Sequence, residues 1–398
     1  MTEIILVLLS LANLALLIPV LVFAVEIFSA VSRGRRQPAP LPSVRPSAAI
    51  LVPAHDEAEG IAATVRGLRG QLRPGDRLLV VADNCADDTA RLAREAGAEV
   101  IERQDPSRRG KGFALDFGVR HLAAAPPEVV VIVDADCSLR PGCIDRLVAR
   151  ASATQRPAQG LYLMSAPAGA GLNLQVAEFA FLVKNRVRAA GLHRLGFPCH
   201  LTGSGMAFPW VVIRDAHLAH ASLVEDMKLG LDLALAGRGA AFCEDARIDS
   251  HFPFSQVGAS SQRRRWEEGH LGMIAQALRS LPAAVRSGNT GAAALVLDVL
   301  VPPITLLVLL LAAAFVVTAL ATYDLSLAPF ALAVSLLCLA LFGLSALVAW
   351  TAFGRQVLPP MSLLRVFPYV LRKLALYPRL ALGSRVGTWI RTDRRRPD

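Results

Sequence analysis

The chain shows no Cys-x-x-Cys spacing, no internal repeat and little of the pattern of a cleavable leader, and each shortage argues against a class of protein. Its six cysteines, at 85, 137, 143, 199, 243 and 338, show no Cys-x-x-Cys spacing. Neither a disulfide framework nor a zinc site is therefore expected, and free thiols in a reducing compartment are. The apolar amino-terminal stretch has no basic start, outruns the ~7–15 residues of a secretory signal and meets no small-x-small cleavage site before Arg33. It reads as an uncleaved anchor. Biased composition is confined to QPAPLPSVRPS at 37–47, a proline-rich spacer expected to lift the adjoining domain off a membrane.

What is present is apolar sequence in excess: 54% of the 398 residues are hydrophobic and the mean hydropathy is +0.45. The excess is concentrated. Residues 4–28 carry one charge, Glu26, and exceed the roughly 20 residues that a spanning helix needs. Two further stretches, 292–320 and 327–352, flank a short turn with Tyr323 and Asp324 and predict a helical hairpin, kinked near Asp298 and the Pro302-Pro303 pair. Arg33, Arg35 and Arg36 follow the first span, and ten Lys/Arg against two Asp fill 351–398. Positive flanks face the cytoplasm, so the region between the first and second spans is expected there too. Much of the net charge of +10 sits in that tail, which favours anionic lipids as its partner and argues against nucleic acid. The organisation expected is an anchor at 1–31, a linker at 32–47, a cytoplasmic domain at 48–285, a transmembrane hairpin at 292–352 and a basic interfacial tail at 353–398, with 357–383 lying in the interface.

Within 48–285 short β-branched runs alternate with helical patterns. AAILVPA (48–54), RLLVVAD (77–83), AEVIER (98–103) and VVVIVDA (129–135) read as buried strands, separated by EGIAATVRGLRGQL, DDTARLAREAG and GKGFALDFGVRHLA. That rhythm predicts an α/β fold with a mainly parallel sheet, whose ligands bind at the carboxyl ends of the strands. Three strands end in polar or acidic residues: His55-Asp56-Glu57, Asp83-Asn84 and Asp134-Ala135-Asp136.

Asp134 and Asp136 place two carboxylates in one crevice, where a divalent cation would offset their repulsion and bridge to phosphate oxygens, although Asp-x-Asp alone also starts ordinary turns. Asp83, Asn84, Asp87 and Asp88 cluster after the second strand, beyond what capping a helix requires. RRGKGFALD offers Lys111 in a glycine-flanked cationic helix start suited to a diphosphate. Further on, LTGSGMAFPW is a small-residue loop, Gly203 and Ser204 included, leading into an apolar strand. Glu225 and Asp226 stand at a helix start, and SSQRRRWEEGH places Gln262, Arg265 and Trp266 on one helix face. Such a face suits a phosphate clamp beside a sugar-stacking ring.

VPAHDE, DNCADD, DAD, VED and QRRRW, in that order over residues 48–270, resemble the membrane-bound family-2 glycosyltransferases, the group of cellulose-synthase-like and exopolysaccharide-assembly enzymes. The resemblance implies a GT-A-type nucleotide-sugar fold with about three transmembrane helices and interfacial helices at the carboxyl end. It implies that Pro53, His55, Glu57, Asp83, Lys111 and Asp134 hold the donor, and that Asp136 with Asp134 binds Mg2+ or Mn2+. Asp226 matches the general base, and Gly203, Ser204, Glu225, Gln262, Arg265 and Trp266 match the acceptor and diphosphate clamp. The activity implied is an inverting transfer from a nucleotide sugar, a UDP-hexose, at a bacterial plasma membrane. Two departures stand out. DSHFPFS replaces the family's Glu-Pro pair, leaving His251 as a core histidine or an extra metal ligand, and three spans are few for a polymer channel. Single addition to a polyprenyl-diphosphate-linked saccharide is therefore expected; a processive synthase, a transferase acting on ceramide, hopanoid or glycerolipid, and a non-catalytic nucleotide sensor are the alternatives.

Overall fold

A computed structural model describes residues 2–32, 44–167, 169–219, 224–253, 256–325, 329–366 and 368. They form two compact units, one of residues 44–167, 196–219 and 224–295, the other of residues 2–32, 169–195 and 296–368.

The first unit is built on eight strands: β1 Ala48–Ala54, β2 Arg77–Asp83, β3 Glu99–Arg103, β4 Val129–Ile132, β5 Ser138–Leu139, β6 Ala158–Ser165, β7 Met206–Pro209 and β8 Ala241–His251. Their order is β3-β2-β1-β4-β7-β6-β8-β5. β1 to β4 are mutually parallel, β7 runs antiparallel to β4 and β6, and β8 runs parallel to β6. The Val, Ile and Leu runs of β1, β2 and β4 are covered on both faces, as parallel strands between helices must be. The helix Cys143–Thr154 buries Ile144, Leu147, Val148 and Ala151, the one-face spacing of a core-facing helix. Fully buried Ile50, Leu51, Leu79, Ile132 and Phe208 centre the core, each worth about 1.5–3 kcal/mol of burial.

This topology brings distant segments to one edge. β1, β2 and β4 end there; β7, running the other way, begins there, so the 201–205 loop arrives beside the end of β4, with Gly205 N–H donating to the Ile132 carbonyl at 2.9 Å. β6 and β8 end there too. The fourth strand stops earlier than the β-branched run predicts: past Val133 the chain turns, Cys137 N–H donating to the Asp134 carbonyl at 3.1 Å, which frees Asp134 and Asp136 from the ladder. At the opposite end of β1 the expected spacer is shorter than its composition suggests. Arg45 is sealed, its Nη1 and Nη2 reaching Asp76 at 2.8 and 2.5 Å and its Nε reaching Asp145 at 2.6 Å, a bidentate anchor that docks the last linker residues on the domain. Residues 33–43 lie outside the described residues.

In the second unit three helices are long and apolar enough to cross a membrane, Glu3–Val31, Ile304–Tyr323 and Pro329–Gly354. The expected span at 292–320 is broken rather than kinked. One helix ends at Val299 and the next starts at Ile304, because Pro302 and Pro303 lack N–H donors and disfavour helical conformation in the residues before them. Asn13 Nδ2 donates to Thr318 Oγ1 at 3.1 Å, and Phe23 stacks on Phe342 at 5.3 Å between centroids, tying the first span to the other two. Residues 169–195, inside the expected 48–285 domain, group with the apolar helices. Their Leu172–Leu182 helix, too short to span, runs into a π-helical turn, Val183–Arg188. There Arg188 donates from Nε to Glu26 Oε2 and from Nη2 to Asp298 Oδ1, both at 2.6 Å, and buried charges of this kind persist only when paired. Most of the expected 353–398 tail lies outside the described residues.

Candidate active site

The loops after β1 and β2 form the first wall. His55 Nδ1 lies 2.6 Å from the Asp83 carbonyl, Ala86 N–H donates to Asp56 Oδ1 at 2.7 Å, and Glu57 N–H donates to Thr89 Oγ1 at 2.7 Å. Asp56 and Asn84 both have φ of +53°, a conformation Asp and Asn tolerate better than other side chains. Pro53 sits within β1 opposite Val81 of β2. Asp83 is buried, and Arg103, an unforeseen partner on β3, donates to its Oδ1 at 2.5 Å. Asp87, with Oδ1 accepting from Thr89 N–H at 3.0 Å and Oδ2 from Ala58 N–H at 3.1 Å, serves the loop.

The second wall converges on Gly203. Lys111, the first residue of the Lys111–Leu122 helix, places its Nζ on Asp134 Oδ1 and 2.6 Å from the Gly203 carbonyl. A Cβ on Gly203 would stand 3.3 Å from Asp226 Oδ2, 3.6 Å from Lys111 Nζ and 3.9 Å from Asp134 Oδ2, and the residue's φ is +89°. The positive φ is what calls for glycine there, and a Cβ would also press on Asp226. Burial works against the Lys111 charge, but Asp134 and then Glu225 outweigh it and raise its pKa. A helix N-terminus carrying a lysine is a cationic spot suited to phosphate.

Glu225 and Asp226 open the Glu225–Leu235 helix, and Asp226 Oδ1 accepts from Met227 N–H at 2.8 Å. Burial, then the Asp226 charge, push the Glu225 carboxyl above its usual range. The Gln256–Arg286 helix packs beside this pair at Gly269, where an added Cβ would come within 2.6 Å of Val224 Cγ1. Gln262, Arg265, Trp266 and Gly269 follow the i, i+3, i+4, i+7 spacing of one helix face, so the close approach turns that face toward the acids. Gln262 is buried. The Arg265 guanidinium, its pKa lowered by burial, feels the charges of Glu225, Asp134 and Asp226. His251 ends β8, exposed, with Nδ1 3.0 Å from Ser165 Oγ.

Asp134, Asp136 and Cys137 present ligand atoms within 4.8 Å of one another, a set that does not include His251. The two carboxylates are the hard oxygen donors that Mg2+ or Mn2+ takes. Burial and the Asp134 charge push the Cys137 thiol up to about 12, and as a soft sulfur donor it suits these hard cations less than the two carboxylates do. Beneath them lie residues that sequence reasoning missed: Ser250, donating to Asp136 Oδ2 at 2.9 Å, and Tyr162. Their only signal is strand parity, visible once β6 and β8 are paired.

The family model described as glycosyltransferase like family 2 matches residues 46–269. An uncharacterized glycosyltransferase of Mycobacterium bovis is 34% identical over 120 residues, 28% of this chain and 50% of that protein, and two from Mycobacterium tuberculosis strains match equally. The chain thus spans about half the length of the curated relatives it matches. Among solved structures, a mannosyltransferase from Pyrobaculum calidifontis in complex with GDP-Man and Mn2+ is similar at 17% identity, over 94% of this chain and 100% of that one, with a TM-score of 0.48. A glucosyl-3-phosphoglycerate synthase from Mycobacterium tuberculosis, in complex with Mn2+, UDP-Glc and phosphoglyceric acid, is similar at 19% identity, over 59% and 85% of the two chains, with a TM-score of 0.39. The match over 46–269 takes in every strand of the sheet and each of the converging site residues, and the chain belongs to glycosyltransferase family 2.

Proposed function

We propose that the protein transfers one sugar, with inversion, from a UDP-hexose to a polyprenyl-diphosphate-linked saccharide in bacterial cell-surface glycan assembly. The observation that carries this reading is the convergence at Gly203 of an acid, Asp226, a cation, Lys111, and a metal-capable carboxylate, Asp134, each from a different element. Asp226 takes the proton of the acceptor hydroxyl as its oxygen attacks the anomeric carbon from the face opposite the leaving diphosphate. One bond forms and one breaks in a single displacement. Lys111 and Arg265 meet the charge that develops on the departing phosphate, where fixed cations in a partly dry crevice act most strongly. Asp134 and Asp136 would hold a Mg2+ or Mn2+ ion, which supplies Lewis-acid stabilisation of the same diphosphate. Glu57, Asp83, Pro53 and His55 line the nucleoside end; Ser204, Glu225, Gln262 and Trp266 line the acceptor side.

The three apolar helices among the described residues and the positively charged flanks support a multi-pass inner-membrane protein with its catalytic unit and carboxyl terminus cytoplasmic, held against anionic lipids, where sugar nucleotides are made. Purified chain in lipid, given UDP-hexoses and extracted lipid-linked saccharides, should add one sugar per acceptor by mass spectrometry, and lose this in EDTA. Long polymer would indicate a processive synthase. Full transfer in EDTA would remove the metal, and a carboxyl-terminal reporter active only in the periplasm would overturn the orientation.

A further inference from the structure

A line of buried single-proton groups runs under the two aspartates. Asp134 N–H donates to Ser204 Oγ at 3.1 Å, and Ser204 Oγ donates to Cys137 Sγ at 3.2 Å. Tyr162 lies within interaction range of Cys137 and Ser250, and Ser250 Oγ donates to Asp136 Oδ2 at 2.9 Å. Cys137 Sγ also lies 3.7 Å from Asp136 Oδ1. Ser204, Cys137, Tyr162 and Ser250 are all buried.

Each hydroxyl and thiol has one hydrogen, and this dictates direction. Ser250 gives its proton to Asp136, so it accepts from Tyr162. The Cys137 thiol and the Ser250 hydroxyl thus each point at an oxygen of Asp136, and bonds of this kind are strengthened in a low-dielectric interior. The fold explains the placement. β6 and β8 run parallel with Met164 opposite Ser250 and Leu163 opposite Asp249, so Tyr162 and Ser250 share a face as diagonal neighbours, below the turn that carries the aspartates. A buried hydroxyl costs free energy unless it is bonded, so a serine here has a reason that an alanine would not.

We propose that Ser250, backed by Tyr162, is a positioning residue that fixes the Asp136 carboxylate for divalent-metal binding. This rests on the metal-dependent reading above. The carboxylate of a free aspartate turns about its last bond, and a fixed hydrogen bond to one oxygen holds the plane in which the other can meet a cation. Partners of metal ligands typically change metal affinity by about 10- to 100-fold when removed.

The test titrates Mn2+ against full-length protein in lipid nanodiscs and reads free Mn2+ by electron paramagnetic resonance, with no sugar transfer involved. Ser250→Ala should weaken binding by about 10- to 100-fold. Ser250→Thr, which keeps the hydroxyl, should restore it to within about threefold of the native chain. Tyr162→Phe, nearly isosteric, should weaken it by less than Ser250→Ala, and it keeps the test decisive if Ser250→Ala does not fold. Metal-free thermal midpoints report folding separately. Native-like Mn2+ affinity in folded Ser250→Ala, or in Tyr162→Phe where Ser250→Ala does not fold, overturns the positioning role. Loss of binding in Asp136→Ala alone, with Ser250→Ala unaffected, keeps the metal reading and removes only the proposal. Equal binding by the native chain and Asp136→Ala removes the metal reading and the proposal with it.

Discussion

Each unit holds a cation between acids, and the two are finished differently. In the apolar unit Arg188 lies between Glu26 and Asp298, with side-chain exposures of only 5%, 2% and 9%. In the α/β unit Lys111 lies against Asp134 with Glu225 and Asp226 beside it, and Lys111 and Asp134 keep 18% and 25% of their side-chain surface in solvent. The first cluster projects from helices, where packing on all sides fixes each side chain. The second stands on strand ends, a glycine loop and helix starts, where unspent backbone groups remain and a ligand can enter. Charges that only hold helices together do best shut away from water and fully paired. Charges that meet a diphosphate, as proposed for Lys111, need a route to it.

This contrast can be broken most sharply at Asp226. Asp226→Asn keeps the shape and loses the proton acceptor, so turnover should fall by about two to four powers of ten with the thermal midpoint unchanged. Near-normal turnover in a sugar-transfer assay would mean that the base is elsewhere. Arg188→Met should do the reverse, costing about 3–5 kcal/mol of stability by leaving two buried carboxylates without a cation. Thermal unfolding in detergent reads this, and the triple change Glu26→Gln, Arg188→Met, Asp298→Asn should recover most of it, since a neutral set needs no counter-charge. If Arg188→Met unfolds at the native temperature, the closed cluster holds nothing together.

Arg265→Ala should act on ground state and transition state together, weakening nucleotide binding by about 10- to 100-fold, the worth of a hydrogen bond to a charged group. Isothermal calorimetry with UDP checks it; unchanged affinity would take Arg265 out of the clamp. The smallest effect belongs to Glu225. Its folded carboxyl is pushed up by burial and by Asp226, so above the unfolded pKa the folded state holds more proton than the unfolded state. Stability from this group is present below the unfolded pKa and is lost as pH rises through the folded one. Glu225→Gln should therefore unfold at the native temperature near pH 4 and a few degrees higher at pH 8, with turnover reduced far less than in Asp226→Asn. A midpoint difference independent of pH would sink this.

Much of the parallel half of the sheet was legible because its residues admit one reading. The β-branched runs at 48–54 and 77–83 became strands over those spans, since strands covered on both faces need unbroken apolar sequence. β8 was hidden: CEDARIDSH mixes acids, arginine and small residues because one face of that strand stays in water. The Leu172–Leu182 helix was equally hidden, its apolar run too short to announce a span. Missing β6 and β8 meant missing Ser250 and Tyr162, whose shared face exists only in the pairing of two strands some 80 residues apart.

By itself the sequence determined the element types of the parallel half of the sheet, three membrane-crossing candidates and the identities of the charged groups, because hydrophobic period, helix starts and strand-end acids are local properties. The tertiary structure decided which of those groups meet. Asp134, Gly203 and Asp226 converge because β7 runs against β4 and so delivers its preceding loop to the edge where β4 ends, and Arg188 reaches Glu26 and Asp298 because chain packing brings three remote segments together. Chain direction within a sheet and the pairing of remote side chains depend on contacts made only after folding, and no local pattern encodes them.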